Sequence, residues 1–288
     1  LNIAFNNIST PEESIEGAIN IIDNHRNPPS ISFGILDKEM GVVAFESIKN
    51  SVKDLKNRKI DVLVTPPINK QAIHSDKFRF MGHTDYIASE IDGNPTMMMV
   101  SKNLRVALLT EHTAIADVTK AITSELVETK VKTLHSTLMK DFRIEQPKIA
   151  ILSLDPHAGD GGVISSNDKK IISPAVKKIH NSGILIYGPF AADSFFGSME
   201  YKKYDLIVAC YHDQGLIPFK TLSFGTGVNY TSGLNRIRTS PDHWTAYSIA
   251  GKGVASKDSF LSSIFLAIDI YNRRSIYKKF SKNKLQTL

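Results

Sequence analysis

Short runs of apolar and β-branched residues alternate along the chain with segments of helical periodicity. Five of these runs lack polar alternation, which is typical of strands that are buried on both faces of a sheet. They are KIDVLVTPP, LRVALLTEH, PKIAILSLDPH, SGILIYGPF and YDLIVACYHD. The alternation of strands and helices predicts an α/β fold in which the sheets are largely parallel and helices flank them.

Three helices are predicted between and after these strands. One begins at Thr123 or Ser124, both good N-cap residues, and has an apolar face at helical spacing. A second covers residues 167–181 and ends at Gly183, whereas Pro174 within it predicts a late start or a kink. The third lies near the end of the chain and is amphipathic. Its apolar residues are Phe260, Leu261, Ile264, Phe265 and Ile268.

The composition is that of a globular protein. The chain has 288 residues, of which 42% are hydrophobic, and it contains a single cysteine, Cys210. One cysteine excludes an internal disulfide framework and fits a reducing compartment. There is no apolar stretch of ~20 residues, as a membrane helix requires, and no secretory signal pattern, so we expect a cytoplasmic protein. Because the chain starts at Leu1, we expect that an N-terminal segment precedes it.

The net charge of +6 does not indicate a nucleic-acid-binding protein. Such proteins interleave basic residues with aromatic ones or carry a known module, and neither is present. Part of the excess charge lies in the segment NRRSIYKKFSKNK, which we predict to be the solvated end of the last helix. A mildly basic enzyme with an anionic substrate accounts for the same charge, with neither nucleic acid nor membrane as a partner.

Polar side chains follow the predicted strands, where ligands bind in open α/β sheets. His112, His157 and His212 each stand just beyond a strand. Three imidazoles are common ligands for zinc and similar ions and leave one position open for substrate. Asp193 and Asp213 are candidates for orienting these histidines or for acid–base chemistry. The pattern leaves open whether the histidines bind a metal or are structural.

Basic residues near the same strand ends indicate a phosphate-binding site. They are Lys70, Lys220, Arg236 and Arg238. The glycines of GTGVNYTSG allow backbone amides to approach an anion closely. An ordinary basic surface loop is the alternative. Neither a Walker motif nor the GxGxxG fingerprint of dinucleotide-binding folds is present.

Seven motifs in a fixed order resemble the PdxA family, the 4-hydroxythreonine-4-phosphate dehydrogenases of vitamin B6 synthesis. They are TPPINK, GHTDYIA, LLTEHTAIADV, LDPHAGDGG, GPFAADSFF, YHDQGLIPFK and VNYTSGLNRIRTSPDHWTA…IAGKG. The resemblance covers residues 60–270. It implies a two-domain fold like that of isocitrate and isopropylmalate dehydrogenases, with the active site in the cleft between the domains. We expect one domain to comprise residues 1–85 (incomplete at its start) and 225–288, and the other residues 86–224.

The resemblance assigns roles to residues in these motifs. It implies that His112, His157 and His212 bind one divalent metal per active site, either zinc, magnesium or cobalt. It also implies a set of residues that bind the phosphorylated substrate: His83, Thr84, Lys220, Asn229 and Arg238. In this family the metal site is completed across the interface of a homodimer, so we expect that neither subunit is active alone.

The segment DHWTAYSIAGKGVA resembles the nucleotide loop HGxAxDIAGKG of isocitrate and isopropylmalate dehydrogenases. This resemblance implies that NAD or NADP binds near His243, Thr245, Ala246 and Gly251. Trp244 replaces a glycine of the family pattern beside this loop. Two further departures are Ser248 in place of an acidic residue and Glu111 in place of a frequent threonine.

The reaction implied by the resemblance is an oxidation of 4-phosphooxy-L-threonine followed by decarboxylation to 3-amino-2-oxopropyl phosphate. Asp193, Asp213 and Lys220 are the candidates for the base that removes the C3 hydroxyl proton. An alternative is the oxidation of threonate or erythronate 4-phosphate, which lack the amino group. A metal-dependent phosphatase and a phosphate sensor are remoter alternatives, and the IAGKG loop argues against the phosphatase.

Overall fold

The computed structural model describes residues 4–24, 30–80 and 82–281. Its strands are β1 (Phe5–Ile8), β2 (Ile19–Ile22), β3 (Val62–Val64), β4 (Gly93–Val100), β5 (Arg105–Leu108), β6 (Ile149–Leu152), β7 (Ile186–Phe190), β8 (Leu206–Ala209), β9 (Val228–Leu234) and β10 (Ile237–Pro241). Its helices are α1 (Lys38–Lys56), α2 (Lys70–Ile73), α3 (His83–Glu90), α4 (Ile115–Ala121), α5 (Ser124–Asp141), α6 (Ser173–Asn181), α7 (Ala192–Gly197), α8 (His212–Ser223) and α9 (Asp258–Ser281). Within these ranges, none of the helices combines the length and the apolar character needed to cross a membrane.

An eight-stranded sheet forms the centre of the described structure, in the order β3-β10-β9-β4-β5-β8-β6-β7. The pairs β3–β10, β5–β8, β8–β6 and β6–β7 are parallel, and the three pairs from β10 to β5 are antiparallel. The predicted α/β fold with a mostly parallel sheet is therefore confirmed. The antiparallel centre reverses the direction of the strands between the two ends of the sheet.

All five strands predicted from apolar runs are present as β3, β5, β6, β7 and β8. Strands β6 and β8 are buried at every position, as expected for strands covered on both faces. The prediction missed β4, β9 and β10. Their polar residues, such as Thr231 and Ser232, are buried because tertiary contacts satisfy them; the Ser232 hydroxyl, for example, donates to the Thr96 carbonyl at 2.9 Å.

The predicted helix boundaries agree with the structure. Thr123 caps α5, since its hydroxyl accepts a hydrogen bond from the Leu126 amide at 3.1 Å. Pro174 lies in the first turn of α6, where its missing N–H is harmless, and a wide helical turn over Asp168–Ile172 precedes it. Gly183 follows α6 with a φ of 91°, a left-handed conformation that favours glycine.

Helix α8 packs unusually close to the sheet at Gly215. A Cβ atom at this position would lie 2.8 Å from Leu108 and 2.9 Å from both Val106 and Ala209. These three side chains belong to β5 and β8. Glycine at this position therefore lets the first turns of α8 rest directly on the two central strands.

The last helix is only partly the solvated segment that the charge pattern predicts. Its Arg274 is largely buried and forms hydrogen bonds of 2.6 and 2.9 Å with both carboxylate oxygens of Asp141, which is 1% exposed. Arg274 also donates to the Tyr230 hydroxyl at 3.0 Å. The prediction was wrong for Arg274 because sequence position does not show the buried carboxylate on α5. Residues 282–284 of the predicted segment lie outside the described residues.

The division into two domains stays a prediction. The strand order places β3, β10 and β9, from residues 1–85 and 225–288, side by side. The strands from residues 86–224 follow as a second block, starting at β4. The boundary between the two predicted domains would then fall between β9 and β4, whose pairing is continuous from Met97 to Val100.

Candidate active site

A cleft of about 560 Å³ brings together most of the residues predicted to act on substrate. Its walls come from the segments after β3, β5, β8 and β10, from the start of α3, from the middle of β4, from the start of β9 and from β10 itself. The predicted site residues that line it are His83, Thr84, His112, His212, Lys220, Asn229, Arg238, His243 and Thr245. Residues that are up to 162 positions apart in sequence, His83 and Thr245, thus share one cavity.

His212 begins α8 at the carboxyl end of β8, and its ring is held by its neighbour. Nδ1 of His212 lies 2.7 Å from Oδ1 of Asp213, so Nε2 is left for a ligand. The next residue, Gln214, fixes the backbone at this point. Its Oε1 accepts from the Cys210 amide and its Nε2 donates to the Ser153 carbonyl, both at 2.7 Å. Gln214 therefore ties the ends of β6 and β8 together and sets the position of His212.

His112 lines the same cleft from the segment after β5. Burial lowers its pKa, and the nearby positive charge of Lys70 lowers it further, so the neutral ring is favoured. Its neighbour Glu111 does not bind in the cleft. Oε1 of Glu111 accepts a hydrogen bond of 2.9 Å from the Met97 amide and lies 3.9 Å from Nζ of Lys130, which makes this residue structural.

Arg238 is buried in the wall of the cleft and has no carboxylate partner among the residues that the structure describes. Its side chain donates to the Thr65 hydroxyl at 3.1 and 2.7 Å and to the Thr231 hydroxyl at 3.3 Å, and it is 2% exposed. Burial lowers its pKa to about 10, so the guanidinium still carries its charge at neutral pH. A buried, fixed and uncompensated cation is suited to binding an anionic ligand.

Two neighbours of Arg238 add polar groups without adding negative charge. Burial, and then the charge of Arg238, lowers the pKa of His83 to about 3, so His83 is neutral. The Thr84 hydroxyl lies 3.5 Å from the Arg238 guanidinium. Oδ1 of Asn229 is buried and has no hydrogen-bond partner among the described residues. An unpaired acceptor of this kind fits a ligand that supplies a donor.

Lys220 forms an ion pair that the sequence did not predict. Its ammonium lies 2.9 Å from Oδ1 of Asp242, and burial raises the pKa of that carboxyl more than Lys220 lowers it. Asp242 follows β10 directly, in the motif TSPDHW. Its position directly after a strand marks Asp242 as a candidate site residue, but the motifs assigned a role only to the neighbouring His243.

Several predicted site residues lie outside this cavity. His157 belongs to the segment Pro156–Gly162 after β6, in which residues 157–161 all have positive φ values between 45° and 77°. The base of this segment is held by Asp168, whose carboxylate accepts from the amides of Leu154 and Asp155 at 2.8 and 3.0 Å. Asp193 is exposed on α7, and Asp213 contacts the cleft only through His212. Of the predicted phosphate ligands, Lys70 lines the cleft and Arg236 does not.

The donor set of the cleft fits a divalent metal in part. His112 and His212 are close enough to influence each other's charge, and both line the cleft. Within the described ranges, no cluster of three His, Cys, Asp or Glu side chains is arranged to hold a metal ion. Of the three predicted ligands, His112 and His212 line the cleft and His157 does not.

A second cavity of about 400 Å³ adjoins the cleft, and Trp244, His243 and Thr245 line both. Ala246 lines the second cavity but not the cleft. Gly251 lies beneath the Phe33 ring, where a Cβ atom would approach that ring to 3.0 Å. The apolar and aromatic lining, with small residues at the loop, suits a flat ring of a nucleotide.

The fold and the cleft define an α/β protein with a candidate anion-binding site. The family model for "Pyridoxal phosphate biosynthetic protein PdxA" matches residues 1–267. The chain therefore belongs to the PdxA family, which confirms the resemblance of the motifs, and it is an oxidoreductase.

Curated relatives and a solved structure agree with this family. A 4-hydroxythreonine-4-phosphate dehydrogenase of Bacteroides thetaiotaomicron is 43% identical over 284 residues, which cover 98% of this chain and 78% of the relative. A D-threonate 4-phosphate dehydrogenase of Cupriavidus necator is 38% identical and covers 93% of this chain and 81% of its own length. The crystal structure of 4-hydroxythreonine-4-phosphate dehydrogenase from Klebsiella pneumoniae is 31% identical, with a TM-score of 0.81 over 94% of this chain and 83% of that one.

Proposed function

We propose that this protein oxidises 4-phosphooxy-L-threonine with NAD or NADP in the synthesis of pyridoxal 5′-phosphate, giving 3-amino-2-oxopropyl phosphate after decarboxylation. The observation that carries the proposal is the uncompensated Arg238 guanidinium in a cleft that also holds His112 and His212. A phosphorylated acid places anionic groups at both ends of a short chain. Arg238 would bind one end, with Thr84 and neutral His83 as further donors.

In this proposal, His112 and His212 of one subunit and His157 of the partner in a homodimer hold a divalent zinc, magnesium or cobalt ion. The ion would supply a Lewis acid that lowers the pKa of the substrate hydroxyl. Asp213 orients the His212 ring for this role by its hydrogen bond to Nδ1. The position of His157 outside the cleft of its own chain supports a site that is shared between subunits.

Lys220 is the best supported of the three candidates for the proton-transferring group. Of Lys220, Asp193 and Asp213, only Lys220 lines the cleft. Asp242 lies 2.9 Å from its ammonium, and its raised pKa makes this carboxylate a better proton acceptor than an exposed one. We therefore propose that the hydroxyl proton passes by way of Lys220 Nζ to Asp242. The nicotinamide would reach the substrate from the adjoining cavity, past Trp244.

The second candidate substrate is threonate 4-phosphate, because one relative of this chain carries that name. The unpaired Asn229 oxygen accepts equally from an ammonium or from a hydroxyl at C2 of the substrate. The test is the absorbance of reduced nicotinamide with each substrate, NAD or NADP and a divalent metal, with a chelator as control. Chelator-sensitive reduction with the amino substrate alone supports the first candidate. Reduction with threonate 4-phosphate alone supports the second, and phosphate release without reduction would contradict both.

A further inference from the structure

A separate, charged cavity of about 720 Å³ lies at the end of β3 and β10 that is opposite the cleft. Ile60 and Asp61 before β3 and Arg236 before β10 line it, whereas the cleft contains residues that follow these strands. The two cavities have no lining residue in common, although Ile237 of β10 lines this cavity and its neighbour Arg238 lines the cleft. We call it the basal cavity. Its charged lining residues are Arg58, Asp61, Lys140, Arg236, Arg274 and Lys278.

Positive charge dominates the basal cavity. Five cationic side chains line it, and Asp61 is the one carboxylate among its described lining residues. Within the described part of the chain, Arg58, Lys140 and Lys278 form no ion pair. Arg274 is paired with Asp141, but the cations that have no ion pair repel one another, and an anion that binds between them relieves this repulsion.

Arg236 is held rigidly in this cavity by the backbone. Its side chain donates to the carbonyl oxygens of Leu55 at 2.8 Å, Lys56 at 3.1 Å and Asn235 at 3.3 Å. These bonds orient the guanidinium but leave its positive charge uncompensated by a carboxylate. The sequence placed Arg236 among candidate phosphate ligands, and the structure moves it from the cleft to the basal cavity.

Lys140 and Arg274 are two further cations of the cavity, and Arg274 is fixed in position. Arg274 cannot turn away, because Asp141 and the Tyr230 hydroxyl hold its guanidinium. Burial and then the charge of Arg274 lower the pKa of Lys140, whereas Asp141 raises it, and both cations line the cavity. Both residues also line a neighbouring cavity of about 390 Å³ that adds Lys132.

We propose that the basal cavity binds a small phosphorylated anion with two or more negative charges. Arginine and lysine side chains converge on it from three parts of the fold. These are the end of α1, α5 together with α9, and the turn before β10. Arginines that are oriented in advance suit phosphate oxygens. Tyr271 and Tyr277 add aromatic surface for an organic portion of the ligand. The proposal does not depend on the reaction in the cleft.

Inorganic pyrophosphate is the probe that tests this site, with binding measured by isothermal titration calorimetry on the full chain. We expect the double variant Arg58→Ala with Lys140→Ala to weaken the binding by about tenfold or more. The matched control removes two exposed lysines elsewhere, Lys169→Ala with Lys170→Ala, and should leave the affinity unchanged.

A further control separates the basal cavity from the cleft. Lys220→Ala removes a cation of the cleft and should leave the basal binding event intact, with one pyrophosphate still bound per chain. Circular dichroism checks that each variant is folded, and Lys278→Glu provides a second variant at an exposed side chain of the cavity. Equal weakening in the lysine control, loss of binding in Lys220→Ala alone, or unchanged binding in both basal variants would overturn the proposal.

Discussion

The guanidinium of Arg238 and the hydroxyl of Thr65 are joined by two hydrogen bonds, of 3.1 Å from Nε and 2.7 Å from Nη2. Both residues are buried, and no carboxylate shares the contact. A buried cation that is held only by hydroxyls contributes little to stability, since its desolvation is not repaid by an opposite charge. We therefore expect the buried guanidinium of Arg238 to serve ligand binding and not stability.

Replacing Arg238 should affect substrate binding, whereas replacing Arg274 should affect stability. We expect Arg238→Met to abolish substrate binding at ordinary concentrations while leaving the free energy of unfolding unchanged or higher. Arg274→Met is the matched control and should lower that free energy by about 3–5 kcal/mol, because Asp141 would lose its partner. Urea denaturation and substrate titration check both. Strong destabilisation by Arg238→Met would contradict the assignment.

Metal affinity should depend on Asp213 through its hydrogen bond to His212. We expect Asp213→Asn to weaken metal binding by about 10–100-fold and His212→Ala to weaken it more, because the imidazole loses its orientation or the ligand itself. Zinc titration of chelator-treated protein measures this. Asp117→Asn, at an exposed carboxylate of α4, serves as the control. Full zinc affinity in Asp213→Asn would contradict the orienting role of Asp213, and full affinity in His212→Ala would remove His212 from the ligand set.

Trp244 is 83% exposed, lies between the two adjoining cavities and is the single tryptophan of the chain. Its fluorescence therefore reports on this position alone. Oxidised NAD does not absorb where indole emits, so quenching by NAD requires contact. We expect NAD or NADP to quench the emission, and Trp244→Gly to weaken cofactor binding by about tenfold while Trp244→Phe retains it. Cofactor binding without quenching would place the ring away from the nucleotide.

The neutral His83 should make stability depend on pH. Its pKa is about 3 in the folded protein against 6.5 when exposed, so the unfolded chain binds the extra proton between these values. The stabilising contribution is thus complete above pH 6.5 and is lost as the pH falls toward 3. We expect His83→Gln to reduce the slope of the unfolding free energy in this range by up to about 1.4 kcal/mol per pH unit. His74→Gln, at an exposed site, should not change the slope.

Gly215 should tolerate no side chain. We expect Gly215→Ala to destabilise the protein by about 1–3 kcal/mol, because the new methyl group would overlap Leu108, Val106 and Ala209. Gly197→Ala is the control, since a Cβ there has no atom within 4 Å. Thermal unfolding compares the two variants. A neutral Gly215→Ala would mean that α8 can move away from the sheet, and zinc titration would then show whether His212 moves with it.

The residues alone predict the strands with continuous apolar runs, the start of α5, the end of α6, and the histidines and basic residues that follow the strands. These features depend on local physics, namely periodicity, capping and the rule that strand ends carry ligands. Tertiary structure decided how they meet. The antiparallel pairings between β10 and β5 reverse the strand direction, so Arg238 and His212 reach one cleft from oppositely directed strands, which no strand-end rule predicts.

Long-range pairing of charges was also decided only by the fold. Arg236 and Arg238 are two residues apart in sequence, yet backbone carbonyls hold the first in the basal cavity and threonine hydroxyls hold the second in the cleft. His157 also follows its strand, but it lies in a segment of consecutive left-handed residues and does not line the cavity. The physical reason is common to these cases. The partners of a buried polar group come from distant parts of the chain, and the local sequence does not predict them.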